Sequence, residues 1–297
     1  MKQEYLEKRF SAENCSLLRT IDDIVEEYQE QGYMLTTRQV YYQLVARDIV
    51  ENTLNSYKRV AGLINDGKLA GVLDWDALED RTREFKTRAH WTSPSSILQA
   101  CANQYHEDLW VGQSARVFVI IEKEALVGVL EDLCNRYDVP LLAARGYPSG
   151  TVLRAFAQEH LLPAINSGVF CKILHLGDHD PSGMDMTRDL DDRIDMFTEQ
   201  YGGYHLSRIA LNMAQIEEVK PPENPAKSTD ARFKKYRQRF GDSSWELDAL
   251  QPSYLNNLVE SEIKRQIDDD LWKRQLDRIS DIRQRIKEVA ENFDRGN

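Results

Sequence analysis

The stretch Lys172–Met186, "KILHLGDHDPSGMDM", changes character in its middle, and the fold is read from that change. Ile173, Leu174 and Leu176 form an apolar run of strand length that stops at Gly177. A turn-like "DHDPSG" follows, and from Met184 the apolar residues recur at helical spacing. Strand, turn and helix therefore succeed one another within a few residues. The two acids of the turn stand two positions apart and repel. On an extended segment residues i and i+2 point the same way, so Asp178 and Asp180 converge while His179 points aside. Two readings fit such a pair. Asp180 ahead of Pro181 makes a good helix N-cap, and two converging carboxylates suit a bound cation.

Working outward, the same alternation repeats. "RVFVII" (116–121), "VPLLAAR" (139–145) and "YHLSRIAL" (204–211) read as strands, with helical stretches between them. Strands apolar on both sides, alternating with helices, predict a parallel sheet covered on both faces. In open sheets of this kind ligands collect outside the carboxyl ends of the strands. Glu122 closes the first strand, as Asp178 and Asp180 follow a later one. Three carboxylates in one crevice make a hard, oxygen-rich site suited to Mg2+. Without a cation their repulsion raises at least one pKa. Lys123 and Glu124 read as solvated or ion-paired, and His175 and His179 as structural.

Toward the N-terminus the period is helical. Leu17, Leu18, Ile21, Ile24, Val25 and Tyr28 make one apolar stripe. Val40, Tyr41, Leu44 and Val45 make a second, after a cap at Thr36 or Thr37, and Tyr57, Val60, Leu63 and Ile64 make a third. "LAGVLDW" reads as turn and strand. Three helices with a small strand pair suggest a winged helix-turn-helix, a fold that docks on duplex DNA. A connector carrying one helix, "SSILQACANQYHED", leads to the sheet, and a mixed-charge helix from about 271 to 292 ends the chain.

The 297 residues suit about two domains. The formal charge of −11 opposes phosphate binding overall, but cations cluster at Arg81, Arg83, Lys86 and Arg88 and again between Lys227 and Arg239. No apolar run approaches the ~20 residues of a membrane span, and the N-terminal residues show no secretory h-region. Cys15, Cys101, Cys134 and Cys171 lie far apart with no CxxC, which argues against zinc and for free thiols in a reducing cytoplasm.

A Glu ending one strand and an Asp-x-Asp ending a later one, in this βαβαβ order, resemble the Toprim domain of topoisomerases, primases and related nucleases. "IEKEAL", "GDHDPSGMDM" and "WELDALQP" (245–252) together resemble motifs of the topoisomerase VI A subunit and its meiotic break-forming relatives, over about residues 34–260. The resemblance implies an α/β protein with an N-terminal winged helix-turn-helix (CAP-like) domain, 1–90, a connector, 91–115, a Toprim metal-binding domain, 116–215, and a C-terminal extension, 216–297. "TTRQVYYQL" is similar to the family segment in which an arginine precedes the nucleophilic tyrosine by four residues. Tyr42 and Arg38 fit that spacing, with Tyr41 as the competitor and a half-buried core pair as the plain alternative.

By the same resemblance the protein is a magnesium-dependent DNA topoisomerase-like isomerase that cleaves by tyrosine transesterification. Glu122, Asp178 and Asp180 hold Mg2+ and Tyr42 joins covalently to DNA. Lys58, Arg59, Arg81, Arg83, Lys227 and Arg232 are the candidate contacts to double-stranded DNA. A two-fold homodimer is implied, the tyrosine of one subunit serving the metal site of the other. No ATP-binding motif is present in the sequence, so strand passage would need a separate ATPase subunit. The chain is shorter than expected for such a subunit and suits a compact orphan member in a bacterium or mobile element. A Toprim nuclease using water, or a non-catalytic DNA-binding protein, is the alternative.

Overall fold

In the computed structural model, which describes residues 2–78, 88–199 and 201–295, the chain forms a mixed α/β fold around a parallel sheet. The first helix, α1 (Ala12–Glu30), starts where the Ser11 side chain accepts a hydrogen bond from the Asn14 N–H. Its expected stripe is buried from Leu17 to Tyr28. Next comes α2 (Thr37–Ala46), which begins with a capping box: the Thr36 hydroxyl accepts from Gln39 N–H, and the Gln39 side chain accepts from Thr36 N–H. Thr53 caps α3 (Leu54–Leu69) with its hydroxyl, which accepts from Ser56 N–H. The three helices share one core with Leu35, Leu73, Ala77 and Leu78. The expected strand in "LAGVLDW" does not form. The Asp74 side chain accepts from Asp76 N–H and turns the chain into a short 3-10 helix, Trp75–Ala77. What remains of the strand pair is two isolated bridges, Leu35 with Leu78 and Glu4 with Ala70.

The connector helix, α4 (Pro94–Gln104), lies along the C-terminal helix rather than free: Ser95 Oγ donates to Ala290 O at 3.3 Å, and Ala102 and Ala290 are both buried. After it run β1 (Ala115–Ile121), α5 (Val127–Arg136), β2 (Leu141–Ala143), α6 (Gly150–Phe156), a π-helical turn at Ala157–Leu161, α7 (Leu162–Asn166), β3 (Phe170–Leu176), α8 (Pro181–Phe197) and β4 (Tyr204–Ala210). The strand order is β2-β1-β3-β4, and every pairing is parallel. Alternate residues of β1 serve opposite cores. Val117, Val119 and Ile121 pack with Leu130 and Leu133, whereas Phe118 and Ile120 pack with Leu153, Leu190 and Ile194. Burial on both faces is what makes the strands apolar throughout.

The remaining chain crosses the sheet's carboxyl edge, where Trp245 pairs with His179, and returns to the amino end of β1, where Asp268 meets Gln113: α9 (Met213–Val219), β5 (Asn224–Pro225), α10 (Phe233–Phe240), β6 (Ser243–Ser244), α11 (Pro252–Lys264) and α12 (Asp269–Arg295). Val259 and Ile263 of α11 close the core above α5. Among the described residues no helix is long and apolar enough to cross a membrane.

Candidate functional site

The carboxyl ends of β1 and β3 are level because Ile121 pairs with Leu176 and Glu122 N–H donates to Leu176 O at 2.9 Å. The next residues leave the sheet together. Glu122 Oε2 accepts from Asp178 N–H at 2.9 Å, and Asp180 Oδ1 accepts from Gly183 N–H at 2.6 Å as the N-cap of α8. Asp178 Oδ1 accepts from Leu247 N–H at 2.8 Å and lies 3.1 Å from Lys123 Nζ. The three acids expected at the strand ends are therefore neighbours, and the capping role of Asp180 is present as well.

The turn is too tight for larger residues at two positions. A Cβ on Gly183 would stand 2.2 Å from Asp178 O, and one on Gly177 would stand 2.9 Å from Glu122 Oε2. Arg208, at the end of β4, lies beneath the turn. Its guanidinium donates to the carbonyls of Gly177 (2.8 Å), Asp178 (2.6 Å) and Gly183 (3.0 Å) and to Thr187 Oγ1 (2.9 Å). Burial draws the Arg208 pKa down to about 10, against the pull of Glu122, Asp178 and Asp180. Burial also raises Glu122, with the Asp180 charge adding to it, and pushes Asp178 up to about 7 despite Lys123. The negative charge is thus only partly compensated by protein groups.

Among the described residues no three His, Cys, Asp or Glu side chains form a group set to hold a metal ion. A hard cation that keeps several waters needs fewer protein ligands than that, one or two carboxylates sufficing. Each of Glu122, Asp178 and Asp180 spends one oxygen on a backbone N–H, and its second oxygen takes no hydrogen bond from a described residue. Unspent carboxylate oxygens in a partly uncompensated acidic pocket are the donor type such an ion prefers. His179 and His175 stay structural. His179 turns into a cluster with Tyr236, Phe240 and Trp245, its Nδ1 2.8 Å from the Tyr236 hydroxyl, and His175 Nδ1 meets Thr187 Oγ1 at 3.0 Å.

The tyrosine helix approaches from the other side. Arg38 and Tyr42 share one face of α2, the guanidinium carbon 5.9 Å from the ring centroid. Tyr41 is anchored by its hydroxyl, which donates to Thr53 O at 3.0 Å. Tyr42, 4% exposed, instead brings its hydroxyl to Arg38 and Glu246. Burial raises its pKa, Asp248 and Glu246 adding to that and Arg38 opposing it.

The segment Trp245–Leu250 joins the two sides. Trp245 pairs backbone to backbone with His179, and Ala249 enters the core of the three N-terminal helices. Between these anchors, Glu246 Oε2 lies 2.6 Å from Arg38 Nη2 and 2.7 Å from Lys123 Nζ. Asp248 Oδ2 lies 3.2 Å from Arg38 Nε, and its Oδ1 lies 2.8 Å from Lys123 Nζ. Burial works against the Lys123 charge, but Asp248, Asp178 and Glu246 hold its pKa above the usual range. A continuous charged chain, Arg38–Glu246–Lys123–Asp178, therefore runs from the tyrosine to the strand-end acids.

Lys123, read as solvated or ion-paired, is ion-paired and is the hub of that chain, and Glu246 bridges its two cations. Asp248 and Arg208 were missed. Arg208 had a signal, as the one cation inside the apolar run "HLSRIAL", and Asp248 stands two positions from Glu246 in "WELDAL". Of the candidate DNA contacts, Lys58 and Lys227 are exposed. Arg59 is exposed but paired to Glu13 at 2.5 Å, and Arg232 is tied to Asp185 at 2.9 Å. Arg81 and Arg83 lie outside the described residues. No family model matches the chain, and no curated protein matches it.

Proposed function

We propose that the protein is a magnesium-dependent DNA-cleaving transesterase similar to the topoisomerase VI A subunit, with a winged-helix unit carrying Tyr42 and a Toprim-like unit carrying Glu122, Asp178 and Asp180. One observation carries the reading: Tyr42 and Arg38, more than a hundred residues upstream of Asp178, end in the same charged chain as the strand-end acids. A packing tyrosine has no need of that company. Tyr42 Oη attacks phosphorus, forming an O–P bond as one strand P–O bond breaks. The phenol proton departs and the released strand oxygen gains one. Arg38 stabilises the charge on the attacked phosphate. One or two of Glu122, Asp178 and Asp180 would hold Mg2+, which would neutralise phosphate charge when bound. Lys58 and Lys227, with Arg59 and Arg232 once released from their pairs, would track the backbone of double-stranded DNA.

The enclosure of Tyr42 favours a second reading, in which the ring is structural and a metal-activated water cuts the strand. Incubation with supercoiled DNA and Mg2+, followed by denaturation, separates the two. The first reading expects DNA covalently linked to protein, lost in Tyr42→Phe and in Asp178→Ala. Nicked or linear DNA with free ends, made equally by Tyr42→Phe, would establish the nuclease instead.

A further inference from the structure

Beside the tyrosine helix lies a cavity of about 210 Å³ lined by Arg38, Tyr42, Asn52, Tyr57, Asn224 and Glu246 among others. Two features of its wall ask for an anion. Asn224 Oδ1 accepts from Asn52 Nδ2 at 2.7 Å, while the buried Asn224 Nδ2 has no acceptor among the described residues. A buried donor without an acceptor costs about 1–3 kcal/mol. The second feature is Arg38, half exposed, with its guanidinium turned to Glu246. The acids beside it differ in depth. Asp248 is 1% exposed at the floor of the cluster, whereas Glu246 is 27% exposed at its outer side.

We propose that this cavity is a binding site for a DNA phosphodiester, and that in the free protein Glu246 stands in the phosphate's place on Arg38 and Lys123. This rests on the reading of DNA as the substrate. A phosphodiester carries one negative charge, as Glu246 does, so the exchange leaves the local charge balance unchanged. Asp248 keeps Lys123 and Arg38 oriented during the exchange, because it contacts both from below. Asn224 Nδ2 is closed off in the free protein, so the phosphate gains a hydrogen bond from it only as the departure of Glu246 opens that wall. Swinging outward, Glu246 also leaves Tyr42 facing the phosphate instead of a carboxylate. The site is masked rather than absent, which reconciles a phosphate-binding cleft with a chain of net charge −11.

The test is fluorescence anisotropy with a short labelled DNA duplex in EDTA, in a Tyr42→Phe background so that no cleavage intervenes. Glu246→Gln is expected to tighten binding by about tenfold, the effect of releasing one competing ion pair. Adding Arg38→Met to it should abolish the gain. Asn224→Asp, which turns the unpaired donor into a repelling carboxylate, should weaken binding by about the same factor and serves if Glu246→Gln fails to fold. A folded Glu246→Gln protein that binds no more tightly than its parent, or an Asn224→Asp protein that binds as well, overturns the inference. Failure here is separable from failure of the proposed function. Tight binding by Glu246→Gln without any covalent adduct from wild type removes the cleavage reading alone, whereas adduct formation without a gain removes the mask alone.

Discussion

At the scale of single residues, two predictions follow from groups beneath the strand ends. His175 is fully buried, and burial, with Arg208 adding, draws its pKa down to about 3. An unfolded histidine titrates near 6.5. Between those values the unfolded chain binds a proton at this residue that the folded chain does not, so the contribution of His175 rises with pH across the window, against the opposite slope of the raised Asp178 and Glu122. Its contribution is complete above about 6.5 and is lost as pH falls toward 3, with a slope of up to about 1.4 kcal/mol per pH unit. Urea melts between pH 4 and 7 should show that slope reduced in His175→Gln; an identical slope would mean the ring is not the titrating group. The second concerns Gly183, where an added Cβ meets a carbonyl oxygen at 2.2 Å. Backbone must move, so Gly183→Ala is expected to cost about 1–3 kcal/mol, measurable as a lowered denaturation midpoint. A midpoint equal to wild type would show the turn to be looser than described.

Among elements, the 245–250 segment binds the tyrosine helix to the acid turn, and its hub is testable. Replacing Lys123 by Met leaves Asp178, Glu246 and Asp248 without their common cation, which for a mostly buried cluster costs about 3–5 kcal/mol. Arg145→Met, which breaks only the exposed pair with Glu124, should stay within about 0.5 kcal/mol. Equal effects in thermal melts would deny Lys123 its role. The elements themselves were legible wherever a local period dictated them. The N-terminal helices, β1, β3 and β4 and the C-terminal helix all stand close to where the periodicity predicts them. The strand in "LAGVLDW" was misread because an aspartate-backbone bond, invisible to hydropathy, won over β propensity. Glu122, Asp178 and Asp180 were legible because strand ends are fixed by pattern. Lys123 was not, since its partners Glu246 and Asp248 lie 123 and 125 positions away and only the tertiary fold brings them near.

For the whole molecule, an acidic chain that binds DNA must do so through local patches, and salt exposes them. Exposed Lys58 lies on α3, and exposed Lys227 lies in the loop between β5 and α10. Changing each to Glu is expected to weaken duplex binding at all sequences alike and to reduce the slope of log affinity against log salt by about one per lost phosphate contact. An unchanged slope would place the DNA elsewhere. A two-fold homodimer would further appear as doubled mass in sedimentation. The central claim is chemical, and one measurement addresses it directly: mass spectrometry of tryptic peptides after the trapped protein–DNA complex is digested with nuclease. The account predicts a nucleotide attached to the peptide Gln39–Arg47, with fragment ions assigning it to Tyr42. Cleaved DNA with that peptide unmodified, or with the adduct on Tyr41, would contradict it.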